Sequence, residues 1–251
     1  MRRISAYFIS LLIFLPAGNL ISQDTVLFPL KLRAGIDIAG PVIYYSDRKN
    51  LSVEGYFSFD RSEKMGYVLE AGYLNYKFSQ YNYDYSSKGV FVRLGVDYNL
   101  LKPEISLGKY WAGIGLRYGI SLFNSETPSF QHDNYWGTVT SSIPQKKAMG
   151  HFIEVAPGFK TEIFRNFSIG WTIRLKLLIS GGGGRDLRPI YFPGYGNGGK
   201  MTAAGISYFI TWNIPFKTKT VITKPEVVEE ETEEISNQSA GTGLNSEYSF
   251  R

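Results

Sequence analysis

Residues 89–100 read GVFVRLGVDYNL. Every second residue from Val90 gives Val90, Val92, Leu94, Val96, Tyr98 and Leu100; the others are Gly89, Phe91, Arg93, Gly95, Asp97 and Asn99. Strict alternation of this kind is the period of a β-strand whose two faces meet different surroundings. Two arrangements satisfy it. Either the valines pack on a water-free protein core and Arg93 faces solvent, or the valines face hydrocarbon while Arg93 and Asp97 point into an enclosed space.

The same alternation recurs from Pro29 to Phe216 and predicts eight strands, over 29–40, 50–60, 65–77, 88–100, 110–122, 150–164, 167–180 and 200–216. One parity is free of charge throughout: Leu30, Leu32, Ala34, Ile36 and Ile38 in the first segment, for example, and Phe167 to Ile179 in the seventh. The opposite parity carries Lys31, Arg33, Arg93, Arg117, Lys160, Arg174 and Lys176, set against Asp37, Glu54, Asp60, Glu70, Asp97, Glu154 and Glu162. Bases and acids balance.

Alternation alone does not separate lipid from water, because a soluble sandwich also segregates its faces. Four further features do. Eleven residues at about 3.3 Å each, tilted about 40°, rise roughly 27 Å, close to the ~25 Å apolar band of a membrane barrel. Glycines such as Gly72, Gly95, Gly115, Gly119 and Gly170 fall on the charged parity, where they make room for long side chains crossing a narrow lumen. Tyr67, Tyr73, Tyr98, Tyr110, Trp212 and Phe216 sit near the ends of apolar faces, as interfacial girdles require, although Trp171 and Tyr208 do not. The connections alternate in length. Those after the second, fourth and sixth strands are short, and those at about 41–49, 78–87, 123–149 and 181–199 are long. The expected fold is an all-β, eight-stranded, antiparallel up-and-down transmembrane barrel, with long loops extracellular and both termini periplasmic.

The chain ends read differently. Arg2 and Arg3 precede an apolar run from Ile4 to Pro16, and GNLISQD follows, the layout of a signal peptide over 1–22. A transmembrane helix is the alternative, but the run is shorter than the roughly 20 apolar residues that spanning requires. The segment 217–251 holds Glu226, Glu229, Glu230, Glu231, Glu233, Glu234 and Glu247 with few apolar residues. It is expected to be a disordered acidic periplasmic tail, a solvated linker or a contact for a periplasmic partner. The absence of cysteine excludes disulfides and thiolate metal sites. A net charge of +5 raises nucleic acid as a partner, but the bases are spread through strands rather than clustered.

The layout over 29–216 resembles the small outer-membrane β-barrel superfamily, the OmpA/OmpX-type architecture. It looks more specifically like a family of functionally uncharacterised barrels from Bacteroidota, in which a Gln after the cleavage site, as in ISQDT, is common. AAGISYFITWNIPF (203–216) is similar to the terminal-strand signal that barrel-assembly machinery reads, with Gly205 followed by Tyr208 and Ile210, although here the chain runs on to Arg251. The resemblance implies a bacterial outer-membrane location and a monomer surrounded by lipid and lipopolysaccharide. It brings no activity.

Candidate chemistry is sparse. GYGNGGKM (194–201) nearly matches a phosphate-binding loop, but Met201 stands where the magnesium-binding hydroxyl belongs and a strand follows. GGGG (181–184) reads as a loop entered by a sharp turn. His151, near Ser141, Ser142 and Glu154, is tested as part of a lipid-modifying triad; HFIE puts Ile153 where the nucleophile of the lipid A deacylase barrels would stand. His132–Asp133 is tested as a proteolytic pair. Neither completes a constellation, so no catalytic, cofactor or metal residue is assigned and no enzyme activity is expected. The charged parity is expected to form a structural interior network of Arg33, Asp37, Glu54, Glu70, Arg93, Asp97, Arg117, Glu154, Lys160, Glu162, Arg174 and Lys176, with a narrow ion path as the alternative. Tyr81, Tyr83, Tyr85, Tyr191, Phe192 and Tyr195 are candidate surface-loop residues, for an extracellular ligand or as plain interfacial anchors. The role expected is a non-enzymatic barrel serving binding, adhesion or envelope structure, with a lipid- or peptide-modifying enzyme or an ion conduit as alternatives.

Overall fold

Where apolar and polar residues alternate, the computed structural model, which describes residues 25–181 and 189–222, has long antiparallel strands. They are β1 (Thr25–Asp37), β2 (Leu51–Asp60), β3 (Met65–Gln80), β4 (Tyr83–Asn99), β5 (Tyr110–Asn134), β6 (Gly137–Phe164), β7 (Phe167–Ser180) and, after two short strands, β10 (Thr202–Ile222). The short ones, β8 (Tyr191–Phe192) and β9 (Gly196–Asn197), pair only with each other. Each long strand pairs with its neighbour in sequence and β10 returns to β1, closing the sheet into an eight-stranded up-and-down barrel. Closure pairs every wall strand on both sides over the span the strands share.

The two ends of the barrel differ. At the short-turn end lie Arg61–Lys64, the link Leu100–Lys109 with its single helical turn α2 (Pro103–Ser106), and the Arg165–Asn166 turn, where Asn166 takes a left-handed φ of 65°. Thr25 and Ile222 lie at this end. At the other, the hairpin end, β1 runs into helix α1 (Ala39–Ser46), where a loop over 41–49 was expected. The Asp37 carboxylate accepts the Ala39 N–H at 2.8 Å and turns the chain out of the sheet.

Two expected loops are strands. Pairing of β3 with β4 continues to Gln80↔Tyr83, and that of β5 with β6 to Asn134↔Gly137, so 78–87 and 123–149 are hairpin extensions with two-residue tips. Beyond Tyr85 and Phe123 most of their residues are polar on both faces, so hydrophobic alternation fades. The β-branched run Thr138, Val139, Thr140 and the ladder hydrogen bonds sustain the pleat instead. The last strand also overruns its expected end. It extends to Ile222, and Lys219 Nζ meets Glu63 at 2.8 Å, holding that carboxyl below the usual carboxylate range. The expected signal peptide, the remainder of the acidic tail and residues 182–184 of the glycine run lie outside the described residues.

The faces follow parity with one exception. Val90, Val92 and Leu94, and likewise Ile169 to Ile179 in alternation, are exposed on the exterior, whereas Arg93, Asp97, Arg117, Glu154 and Arg174 are buried within the ring. The exception is Leu30, expected on the exterior but only 5% exposed. The β1–β2 ladder begins at Leu32↔Phe59; below it the Lys31 N–H donates to the Asp60 carboxylate, so residues 29–31 leave the regular pleat. A barrel charged inside and apolar outside is inverted relative to one that folds in water, and it is the distribution that hydrocarbon solvent demands.

Candidate functional site

Strand register assembles the lumen. Arg93 on β4 lies opposite Glu70 on β3 and Gly119 on β5, and Arg117 lies opposite Gly95 and Glu154. Asp97 is flanked by Gly66 and Gly115. A Cβ at Gly115 would come within 2.5 Å of the Asp97 carboxylate, so glycine is what allows an acid to fold across the wall at this point.

Three guanidiniums and three glutamates interlock at mid-barrel. Glu70 meets Arg93 Nε at 3.0 Å, Arg117 Nε at 3.2 Å and Arg174 Nη1 at 3.0 Å. Glu154 meets the same three arginines, at 3.0, 3.2 and 3.4 Å. Glu54 bridges Arg93 and Arg174, the latter at 2.6 Å. Arg117 reaches on to Asp97 at 3.2 Å, and Asp97 takes Lys160 Nζ at 2.7 Å. Lys160 also donates to the Tyr56 hydroxyl at 2.6 Å. Arg93, Arg117, Arg174 and Lys160 thus balance Glu54, Glu70, Glu154 and Asp97. Nearer the short-turn end Lys31 pairs with Glu162 and Arg33 with Asp60. The cavity beside them, lined in part by Arg33, Asp60, Asp97 and Lys160, holds about 30 Å³, room for a few water molecules at most.

Two members of the predicted set stand apart from this lattice. Asp37 forms no ion pair among the described residues; its Oδ1 accepts the Ala39 N–H and, at 3.3 Å, the Tyr208 N–H. Lys176 faces Glu154 across the β6–β7 ladder, but the three arginines occupy that carboxylate. Lys176 Nζ donates instead to the Tyr195 carbonyl at 3.2 Å.

Above the lattice residues 190–199, from the link between β7 and β10, fold into the lumen as a plug. Phe192 and Tyr195, expected on the surface, are 0% and 1% exposed and pack against Phe123 and Phe152 from the barrel wall. The Phe192 ring stacks between Phe123 and Tyr195, with centroids 5.0 Å from each. Tyr191 stacks on Tyr76 at 4.2 Å. Tyr85, also expected on the surface, is buried: its hydroxyl donates to the Tyr191 carbonyl at 2.8 Å and accepts the Tyr191 N–H at 3.3 Å. Tyr83 follows Tyr85 on the inward face and lies 3.4 Å from Thr127 Oγ1. Of the six proposed surface aromatics only Tyr81, at the β3–β4 tip, is fully exposed. The reason is apolar area: aromatic rings lower the free energy more by filling the wide end of the lumen than by standing in water. Phe123 and Phe152 escaped sequence reading: Phe123 falls within the expected loop 123–149, and Phe152 is an apolar residue on the parity that elsewhere carries the charge. Glycines at 150, 194 and 198 were the available clue. A Cβ on Gly150 would meet Phe192 at 2.7 Å, and Gly194, at φ 75°, lies against the Phe91 ring.

The tested catalytic groupings do not assemble. His151 faces outward and its Nδ1 lies 2.9 Å from the Tyr118 hydroxyl on the same exterior face, whereas Glu154 points into the lumen. Asp133 accepts the Thr138 hydroxyl at 2.7 Å in the exposed hairpin. Among the described residues no group of three or more His, Asp or Glu is arranged to hold a metal.

Residues 3–219 match the family described as Domain of unknown function (DUF6048), and the chain belongs to that family. No curated protein matches it. Among solved structures it is similar to the N-terminal β-barrel domain of Pseudomonas aeruginosa OprF (9% identity, TM-score 0.31, 75% of this chain and 99% of that one). It is also similar to Ail, the attachment invasion locus protein of Yersinia pestis (10%, 0.33, 76% and 97%), and to Acinetobacter baumannii CarO (11%, 0.35, 75% and 98%).

Proposed function

We propose that this DUF6048 chain is an integral outer-membrane barrel that neither catalyses nor conducts, and that presents the β5–β6 hairpin at the cell surface as a recognition element. The observation that carries the reading is this hairpin. β7 reaches β6 only from His151↔Ser180, and β4 accompanies β5 only as far as Tyr83↔Phe130, so the end of the hairpin stands beyond both neighbours. At its tip Tyr135 and Trp136 are 93% and 89% exposed, in an edge-to-face pair 5.2 Å apart. Exposed Tyr and Trp supply large, rigid contact area at low entropic cost. An apolar exterior and a charged interior support the membrane location. The closed ion lattice and the buried plug support a lumen without an aqueous path.

Trimming residues 125–146 to a tight turn tests the recognition role on intact cells. Loss of surface binding with normal membrane insertion is the expected outcome, and unchanged binding and envelope phenotype would remove the hairpin from the proposal. Planar-bilayer recording tests the second part, with no unitary conductance expected from the native chain.

A further inference from the structure

The barrel is closed by β1 and β10, but the seam between them is not closed along its whole height. β1 leaves the sheet at Asp37, and the Ile38 N–H donating to the Tyr208 carbonyl at 2.9 Å is the topmost rung. β10 runs on above it through Thr202–Ser207, laddered on its other side to β7 from Thr202↔Leu177 to Ser207↔Thr172. Beyond Asp37 the chain turns into α1, which lies against β2 at Gly40 and Ser52 and lines the space beside this part of β10; an α-helix offers no ladder to a strand. A cavity of about 640 Å³ lies here, lined by both the inward residues of β10 (Ala203, Gly205, Ser207) and its outward ones (Thr202, Ala204, Ile206). A space lined by the lumen residues Arg93, Arg174 and Lys176 and by six consecutive residues of β10 runs along that strand's free edge. It thus reaches from the lumen to the seam, and its volume is that of a small-molecule site.

Its two ends differ in chemistry. Inside, the floor is the Glu54–Arg93–Arg174 part of the lattice, already neutralised, and above it stands Lys176, whose hydrogen-bond partner among the described residues is the Tyr195 carbonyl. Lys200 at the rim adds a second cation. The one other carboxylate lining the space among the described residues, Asp37, has its Oδ1 occupied by two backbone N–H groups. Outside, the seam is bordered by Ile43 on α1 and by Ala204 and Ile206 on β10, and α1 buries none of its residues while exposing Val42, Ile43 and Tyr45. A cationic interior joined to an apolar exit has the polarity of a molecule with an anionic head and a hydrocarbon tail.

We propose that this cavity binds an anionic amphiphile, its phosphate or carboxylate head on Lys176 inside the barrel and its acyl chain leaving between α1 and β10. This rests on the membrane reading above, because only in a bilayer does the seam open onto hydrocarbon. The head is drawn in by a charge-assisted hydrogen bond from Lys176. The tail stays in an apolar medium throughout, so the molecule reaches the site sideways from the membrane without crossing water.

The test uses the full chain refolded in detergent, with the heat-dependent gel shift of a folded barrel measured first. Absence of that shift would count against the membrane reading itself. Binding of oleoyl lysophosphatidic acid, oleate and, as a headless control, oleyl alcohol is then measured by native mass spectrometry. At least one anionic probe is expected to bind tenfold or more tightly than the alcohol; the better of the two distinguishes a phosphate-headed membrane lipid from a free fatty acid. Lys176→Gln should abolish that preference, Lys176→Arg should keep it, and Ala204→Trp, which fills the seam from the lipid side, should weaken all three probes about tenfold. Equal affinity for acid and alcohol in the native chain overturns the proposal. So does a preference that survives Lys176→Gln, or affinity untouched by Ala204→Trp, each in a barrel that retains its gel shift.

Discussion

Glu70 and Glu154 each accept contacts from the same three arginines, and both are completely buried. Taking ions out of water costs several kcal/mol each, and the lattice offsets this only while every partner is present. Glu70→Ala therefore leaves three buried guanidiniums short of an acceptor. It is expected to destabilise the barrel by about 3–5 kcal/mol, read from urea unfolding in detergent micelles. Removal of an exposed ion pair is a different matter. Lys219→Ala, which breaks the surface contact to Glu63, should cost at most about 1 kcal/mol in the same assay. Gly194 shows a third kind of dependence, because its left-handed φ and the Phe91 ring leave no place for a side chain. Gly194→Val should cost roughly 1–3 kcal/mol through overpacking and should expose the Ile190–Gly199 segment to limited proteolysis.

At the scale of elements, the plug and the long hairpin respond differently to truncation. Phe192 and Tyr195 bury whole rings against Phe123 and Phe152, and Phe192→Ala is expected to cost about 3–5 kcal/mol, as ring deletions in packed cores do. The β5–β6 tip contributes no burial. Tyr135→Ala with Trp136→Ala should leave unfolding unchanged within about 0.5 kcal/mol while removing whatever surface binding the hairpin provides. Pairing of outcomes in this way separates a recognition element from a structural one. The strand elements were legible because each alternates a membrane-facing residue with an inward one, as in GVFVRLGVDYNL. The hairpin extensions and α1 were not, since ladder hydrogen bonds and an N-terminal Asp37 contact need no hydrophobic period.

For the whole molecule the governing fact is the inverted solvent. Ile173 is exposed on the exterior of β7 beside Ile206 of β10, a site the barrel presents to hydrocarbon. Ile173→Arg should cost roughly 2–4 kcal/mol in a bilayer, the midplane value for lipid-facing cations. A spin label at Val92 should report an apolar, oxygen-accessible neighbourhood in native membranes, and a water-accessible signal there would contradict the orientation of the entire sheet.

By itself the sequence determined the strand number, the parity of the faces and the charge balance of the lumen, because these follow from a period of two and from the cost of placing charge in hydrocarbon. Arg93, Glu70 and Arg174 could be assigned to one interior before any contact was known. Which acid meets which base, the burial of Phe192 and Tyr195, and the gap left where β1 stops short of Thr202–Ser207 were decided only by the tertiary structure. Those features depend on stagger between strands and on a loop turning inward, and neither stagger nor loop direction leaves a local periodic trace in the chain.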